Sequence, residues 1–380
     1  MKGKIFLQNT WFIALGSIGG YLLSLTGMSI GWMVGTLIMT GLLSFWRPKW
    51  AGLSSHHMTI EPYWRHIGQW ILGITLGRQM TLSVLQTFGN NWMIIIVMLL
   101  LSIVFSLLSG LFLWRYSESD LLTSLFGTAP GGVSAMPSIA EEIGANIVVV
   151  SIVQMIRLFL VVGIIPLMAS YWGRETSVFS MALETGTSLG ALLWTFVLAF
   201  AAWGGYYLGK RLKLPAPWLV GGMMGVAGME MLGSFLSGEK LVPWWPHWLI
   251  TLAQIFIGAS IGSKLNKEMF EGAKRIVFVG LLSSGGLMVV MLLCSIGVSQ
   301  VTGIPLVTAI LSFAPGGVAE MATASLSLHA NAAFVVAVQS LRLLTIFILL
   351  PPLFRLLRGS LTKREFRTPK GFLKKKGRFP

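Results

Sequence analysis

Two arginines stand where an apolar chain rarely tolerates them. Arg157 and Arg342 each lie about eleven residues into a long apolar segment, and Gln154 and Gln339 precede them by three residues on the same helical face. A guanidinium at the bilayer centre costs at least roughly 2.5–3.5 kcal/mol on insertion scales, so two of them need a reason. One reason is an anion site, because the planar guanidinium fork grips a carboxylate through two parallel hydrogen bonds. Another is an internal lock, in which each arginine bonds to the carbonyls of a broken helix or to Glu141, Glu142 or Glu320. The two can coexist.

Broken helices are what the neighbouring sequence encodes. Ala129-Pro130-Gly131-Gly132-Val133 and Ala314-Pro315-Gly316-Gly317-Val318 sit in otherwise apolar surroundings. Proline has no N–H and pushes the residue before it out of the helical region, while the glycines permit turns closed to other residues. In lipid such a break is tolerated only where protein buries it or a watery cavity meets it. Half-helix ends then offer N–H groups and dipoles to a substrate or ion. The alternative is a kink for close packing. Asn146 and Asn331 stand where the next helices begin, and either cap them or join the site. Glu320 has only Ala135 as counterpart, and is a candidate carrier of a proton or cation or else a partner for Arg342. Glu141 is a second ion-coupling candidate, although its place at the end of the first break also suits the membrane interface.

The elements that must position these residues follow from composition and repetition. Of 380 residues 54% are hydrophobic and only 11% charged, with a mean hydropathy of +0.77. An ordinary soluble protein carries about 25% charged residues, so this chain cannot coat soluble domains. Charge-free runs of 42, 36 and 44 residues (5–46, 79–114 and 276–319) each hold one or two membrane spans. Shifting the chain by 185 residues lays Gln69, Gly73 and Gly77 on Gln254, Gly258 and Gly262. The same shift superposes the two APGG motifs, pairs the asparagines, glutamines and arginines above, and makes 14 of the 38 positions from 129 to 166 identical without a gap. The chain is one unit written twice.

The first unit predicts helical segments near 11–27, 28–46, 67–88, 91–114, 119–143 and 146–171, and the second near 187–209, 217–236, 248–263, 276–298, 303–329 and 331–354. Residues 1–180 form the first membrane repeat, 186–356 the second, and 357–380 a basic tail. If the APGG segments dip in and return, each half crosses five times. Lys2, Arg47, Lys49, Lys210, Arg211, Lys264, Arg275 and the tail then all fall on one side, as the positive-inside rule requires of a cytoplasmic face. An odd number of crossings inverts the second half relative to the first. The expected fold is therefore an all-α polytopic membrane protein, with two inverted repeats of about five transmembrane helices, each carrying one broken or re-entrant APGG segment. Both termini are expected in the cytoplasm of a bacterial plasma membrane protein.

Other chemistries fit poorly. The net charge of +15 is concentrated in residues 355–380, where ten Lys or Arg face one acid, Glu365. That placement suits anionic lipid rather than nucleic acid. One cysteine, Cys294, excludes an intrachain disulfide or a thiolate cluster. His56, His57 and His66 near Glu61 have no diagnostic metal spacing. No phosphate loop, dinucleotide fingerprint or hydrolase elbow is present, so no enzyme activity, metal or cofactor is expected. The Gly-x-x-x-Gly pairs, Gly73 with Gly77 and Gly258 with Gly262, predict close helix contact.

The segments Gly127 to Met136 and Ser312 to Met321, with the Asn146, Gln154, Arg157 and Asn331, Gln339, Arg342 series, resemble the signature of the bacterial membrane AbrB-duplication family. The resemblance covers roughly residues 11–356. It implies an inner-membrane protein distantly similar to inverted-repeat transporters with crossed, broken helices, and supplies no substrate. Family members carry labels of ammonia monooxygenase or of transcriptional regulator. The latter shares its name with an unrelated small DNA-binding protein, whose domain has no likeness here, and a copper oxygenase needs convergent ligands that His247 and His329 do not provide.

The expected function is secondary-active transport of a small organic anion coupled to H⁺ or Na⁺. The substrate site would use Pro130, Gly131, Gly132, Pro315, Gly316, Gly317, Asn146, Asn331, Gln154, Gln339, Arg157 and Arg342, and Glu320 and Glu141 would carry the ion. The alternative is a membrane ligand sensor that regulates gene expression, for which the basic tail is a slender output. Expected partners are the lipid bilayer and a small anionic solute, with a homodimer left open and no nucleic acid. Single-cysteine labelling in a Cys294-free background should place 210–216, 264–275 and the tail in the cytoplasm and 172–186 outside. Finding 210–216 outside would replace the inverted arrangement by six crossings per half.

Overall fold

The computed structural model describes residues 2–28, 30–46, 60–80, 82–131, 136, 140–141, 144–172, 186, 188–238 and 241–365. Among the described residues there are helices and no strands. In chain order they are α1 (Lys2–Ser24), α2 (Gly31–Trp46), α3 (Pro62–Gly77), α4 (Leu82–Asn90), α5 (Trp92–Tyr116), α6 (Leu121–Thr128) and α7 (Ile147–Trp172). The second half continues with α8 (Leu189–Arg211), α9 (Pro217–Ser237), α10 (Trp248–Gly262), α11 (Lys267–Phe270), α12 (Lys274–Thr302), α13 (Leu306–Phe313), α14 (Val318–Ser327) and α15 (Ala332–Glu365). Six of them, α5, α7, α8, α9, α12 and α15, contain stretches long and apolar enough to cross a membrane, and α2 and α10 are shorter apolar helices. The protein is a polytopic membrane protein.

Sequence spacing carries over into element boundaries. Helices α6 and α13 begin and end 185 residues apart, α7 and α15 begin 185 apart, and α3 and α10 end 185 apart. Three expected segments differ from observation, the first of them because α1, expected over 11–27, already begins at Lys2. The span expected over 67–88 starts earlier, at Pro62, where a missing N–H is harmless in a first turn. It stops at Gly77, because Arg78 and Gln79 enter a turn and Arg78 reaches Glu230 of α9 at 4.0 Å. The last helix runs on to Glu365, well past the expected end near 354.

Both APGG segments are broken as their prolines require. Ala129 (φ −59°, ψ 131°) and Ala314 (φ −53°, ψ 138°) leave the helical region directly before Pro130 and Pro315. In the second segment α14 restarts at Val318. In the first, Met136, Ala140 and Glu141 are helical again, while Gly132 lies outside the described residues.

The helices sort into two bodies, each assembled from both halves. In the first, α1 packs on α2 and α8 on α9, and the pairs are crosslinked by α10 against α2 and α3 against α9. The second joins α5, α6 and α7 to α12 through α15, with α12 against α5 and α7, and α13 between α7 and α15. The bodies meet where α14 touches α3 and α10 and where α15 touches α3.

Glycines make the crossed contacts of the first body, as the Gly-x-x-x-Gly spacing predicts. A β-carbon on Gly73 would sit 3.0 Å from the Leu219 carbonyl, and one on Gly262 would collide with Thr40 and with the Leu37 carbonyl. In α12, by contrast, a β-carbon on Gly285 meets no atom within 4 Å. Gly262→Val should therefore destabilise the protein by about 1–3 kcal/mol through overpacking, while Gly285→Val stays near wild type. Heating of the solubilised protein followed by size-exclusion chromatography measures this. Equal losses in the two variants would mean that α10 and α2 do not meet through Gly262.

Candidate functional site

A helix interrupted in mid-membrane exposes carbonyls that have lost their N–H partners, and each such group buried without a partner costs several kcal/mol. Here the following helix supplies the missing donors. Gln154 Nε2 donates to the carbonyls of Phe126 at 3.0 Å and Ala129 at 2.8 Å. Gln339 Nε2 donates to Leu311 at 2.8 Å and Ala314 at 3.1 Å, the same two positions one repeat later. Arg157 Nη1 donates to Thr128 at 2.7 Å and Ala129 at 3.0 Å, and its Nη2 donates to Gln154 Oε1 at 2.6 Å. Arg342 donates to Ala314 and Gly316 at 2.5 and 2.6 Å, and to Gln339 Oε1 at 2.5 Å. The internal lock expected as one role of these arginines is thus formed twice, with carbonyls rather than carboxylates as acceptors.

The asparagines cap the lock helices. Asn146 Oδ1 accepts from Val148 and Val149 N–H at 3.0 and 3.2 Å, and Asn331 Oδ1 accepts from Phe334 N–H at 3.1 Å. Their own main-chain N–H groups donate to Thr123 and Thr308, tying α7 and α15 back to α6 and α13. The bland capping role is the one seen.

Between the two bodies lies a cavity of about 490 Å³. Its floor is the broken backbone, Gly131 from the first segment and Pro315, Gly316 and Gly317 from the second, with Gln154 and Arg157 beside them. The opposite wall comes from the first body: Arg65, His66 and Gln69 of α3, Tyr206 and Lys210 of α8, Trp218 of α9, and Lys264 just after α10. Trp218 is sandwiched by Tyr206, at a ring separation of 3.8 Å, and by His66, at 5.6 Å. Glu320, in the first turn of α14, is 1% exposed and lines the cavity. Its Oε1 accepts from Arg65 Nη2 at 2.9 Å, an ion pair that spans the two bodies. Its Oε2 has no hydrogen-bond partner among the described residues. Burial pushes the Lys264 ammonium down to about 8, with Arg65 pushing the same way and Glu320 opposing.

The family profile described as "Transition state regulatory protein AbrB" matches residues 32–358. The chain belongs to the AbrB family. It is 48% identical over 363 residues to the "Uncharacterized protein YhjN" of Bacillus subtilis (strain 168), covering 94% of each chain. It is 29% identical over 299 residues to the "Putative regulator AbrB" of Escherichia coli (strain K12), covering 78% of this chain and 83% of that one.

In this AbrB-family chain the expected site residues divide into two groups. Gly131, Pro315, Gly316, Gly317, Gln154, Arg157 and Glu320 meet at the cavity. Pro130, Asn146, Asn331, Gln339 and Arg342 stand behind it in the scaffolding of the breaks, and Gly132 is outside the described residues. Glu141 is exposed and does not line the cavity. Glu320 pairs with Arg65 rather than with Arg342. Sequence reasoning treated Lys210 and Lys264 only as topology markers and His66 only as a weak metal ligand, and it passed over Arg65. Their common signal is that none of them recurs in the other half.

The lock yields a direct test. Lysine keeps the charge of Arg342 but cannot reach the Ala314 and Gly316 carbonyls and Gln339 together. Arg342→Lys should cost about 2 kcal/mol or more, because a charged hydrogen bond is worth roughly 1.5–3 kcal/mol, and should lower the melting temperature of the solubilised protein. An unchanged melting temperature would mean that these carbonyls find other donors.

Proposed function

We propose that this protein is a secondary-active transporter of a small organic anion, coupled to H⁺ or Na⁺, with inverted repeats providing its two access states. The cavity between the two bodies supports this reading most strongly. Its floor is backbone opened by the APGG breaks, and most of its ionisable side chains are cationic. Arg157 presents a guanidinium whose hydrogen bonds go to carbonyls and an amide, which fix its place without cancelling its charge. Under the positive-inside assignment, the end of the cavity marked by Lys210 and Lys264 faces the cytoplasm. Exchange of the roles of the two halves would open the other face.

Glu320 is the proposed coupling residue. Its Oε1 is held by Arg65, and its Oε2, without a hydrogen-bond partner among the described residues, is the atom open to the coupling ion. The pair joins the two bodies, so a substrate carboxylate that engages Arg65 would loosen that junction and free Glu320 for the coupling ion.

The printed name of the Escherichia coli relative supports a second reading, a regulator in which the same cavity binds a ligand and passes a signal. Purified protein in proteoliposomes with imposed proton and sodium gradients separates the two. Transport predicts gradient-driven uptake of an organic anion. Glu320→Gln should bind the same anion but lose the dependence of uptake on pH. Anion binding with no flux under any gradient would favour the sensor.

A further inference from the structure

The side chains that hold the fold occur twice, and those that charge the cavity wall occur once. Gln154, Arg157 and Asn146 recur as Gln339, Arg342 and Asn331, because two breaks need two locks. Under the same shift of 185 residues, Arg65 falls on Ile250, His66 on Thr251, Lys210 on Leu25, Lys264 on Gln79 and Glu320 on Ala135. These five non-repeating residues, from four separate parts of the chain, all line one cavity. Even the repeated Gln69 has diverged in use. It lines the cavity, whereas Gln254 donates to Ser327 at 2.8 Å. The duplicated fold alone therefore does not account for the charged wall.

The charge is lopsided. Arg65, Arg157, Lys210 and Lys264 face a single carboxylate, Glu320, which Arg65 already pairs. Three positive charges remain unbalanced along the cavity, on the buried Arg157, the half-buried Lys264 and the exposed Lys210. A monoanion leaves two of them. The cations of the wall also stand apart, on α3, at the end of α8 and after α10, which suits charges at both ends of a short carbon chain better than one compact oxyanion. About 490 Å³ accommodates a molecule of that size, and the ring stack on Trp218 gives it an apolar ledge.

We propose that the cavity binds a small dicarboxylate, gripped by Arg65, Lys210 and Lys264. This deepens the proposed function by naming the substrate class of its site, and rests on the same cavity but not on transport. Lys264 shares its surroundings with Arg65 and Glu320, and with His66, Lys210 and Arg157 along the same walls. It is charged below about pH 8 and loses its proton above. A second carboxylate beside it favours the charged form, so binding draws a proton onto it in that range.

The test is calorimetric binding to the purified full-length protein in detergent, with succinate, glutarate and citrate set against butyrate and inorganic phosphate. At least one di- or tricarboxylate should bind about tenfold more tightly than butyrate, since its second carboxylate meets a cation that a monocarboxylate leaves unpaired. Its affinity should fall as pH rises through about 8, with proton uptake on binding seen as a buffer-dependent heat. Lys210→Ala and Lys264→Ala should each lower its affinity about tenfold and narrow its advantage over butyrate.

Three results would overturn the inference: butyrate matching every dicarboxylate, phosphate binding more tightly than all of them, or no binding of any probe by wild-type protein. The wild-type comparison needs no variant to fold. Dicarboxylate binding without flux in proteoliposomes would sustain the site and remove transport. Flux of a monocarboxylate with no dicarboxylate preference would do the reverse.

Discussion

Everything near the centre of this protein depends on carbonyls that have lost their helical partners. The prolines of the two APGG motifs end α6 and α13 in the interior, and the carbonyl oxygens of Ala129 and Ala314 are left facing low-dielectric surroundings. Each accepts from three donors: an N–H two residues on, a glutamine amide and an arginine. Both arginine and break would be costly alone. Together the guanidinium finds acceptors without a carboxylate, and the opened backbone is fixed in one shape. The open turn that floors the cavity can persist because the donors behind it are held by packing and by the caps at Asn146 and Asn331.

This interaction also explains what could be read from the sequence. The duplication, the breaks, the depth of the arginines and the glutamines on their helical face are all local or periodic, and they preserve their spacing in the structure. The partners of the arginines were legible only as alternatives, because sequence spacing does not show whether a buried guanidinium meets a carboxylate or a carbonyl. Arg65 with Glu320 was beyond reach. The two are 255 residues apart, on helices of different bodies, and no periodicity reports that distance. The end of α3 was missed for a similar reason. The apolar composition continues beyond Gln79, whereas the turn at Arg78 and Gln79 lies beside Glu230 of another helix, a long-range neighbour that spacing does not report.

Symmetry and charge thus have separate sources in the chain. The twofold part supplies geometry: two breaks, two locks, two crossed helix pairs. The single-copy part supplies the electrostatics of one wall, drawn from the ends of α3, α8 and α10. The bodies meet over few elements, and the Arg65–Glu320 pair lies on that seam. In that pair Glu320 is 1% exposed and Arg65 27%, so a change of charge there acts on a carboxylate largely removed from water.

The exchange of neighbours between halves, α3 on α9 and α10 on α2, has a consequence for how such a chain can be made. During synthesis the first half enters the membrane with the glycine faces of α2 and α3 unoccupied, and it stays incomplete until α9 and α10 arrive more than a hundred residues later. Neither half covers its own Gly-x-x-x-Gly faces. A single-repeat ancestor of this architecture would have needed a second copy to cover those faces, and joining the two copies in one chain freed them to differ.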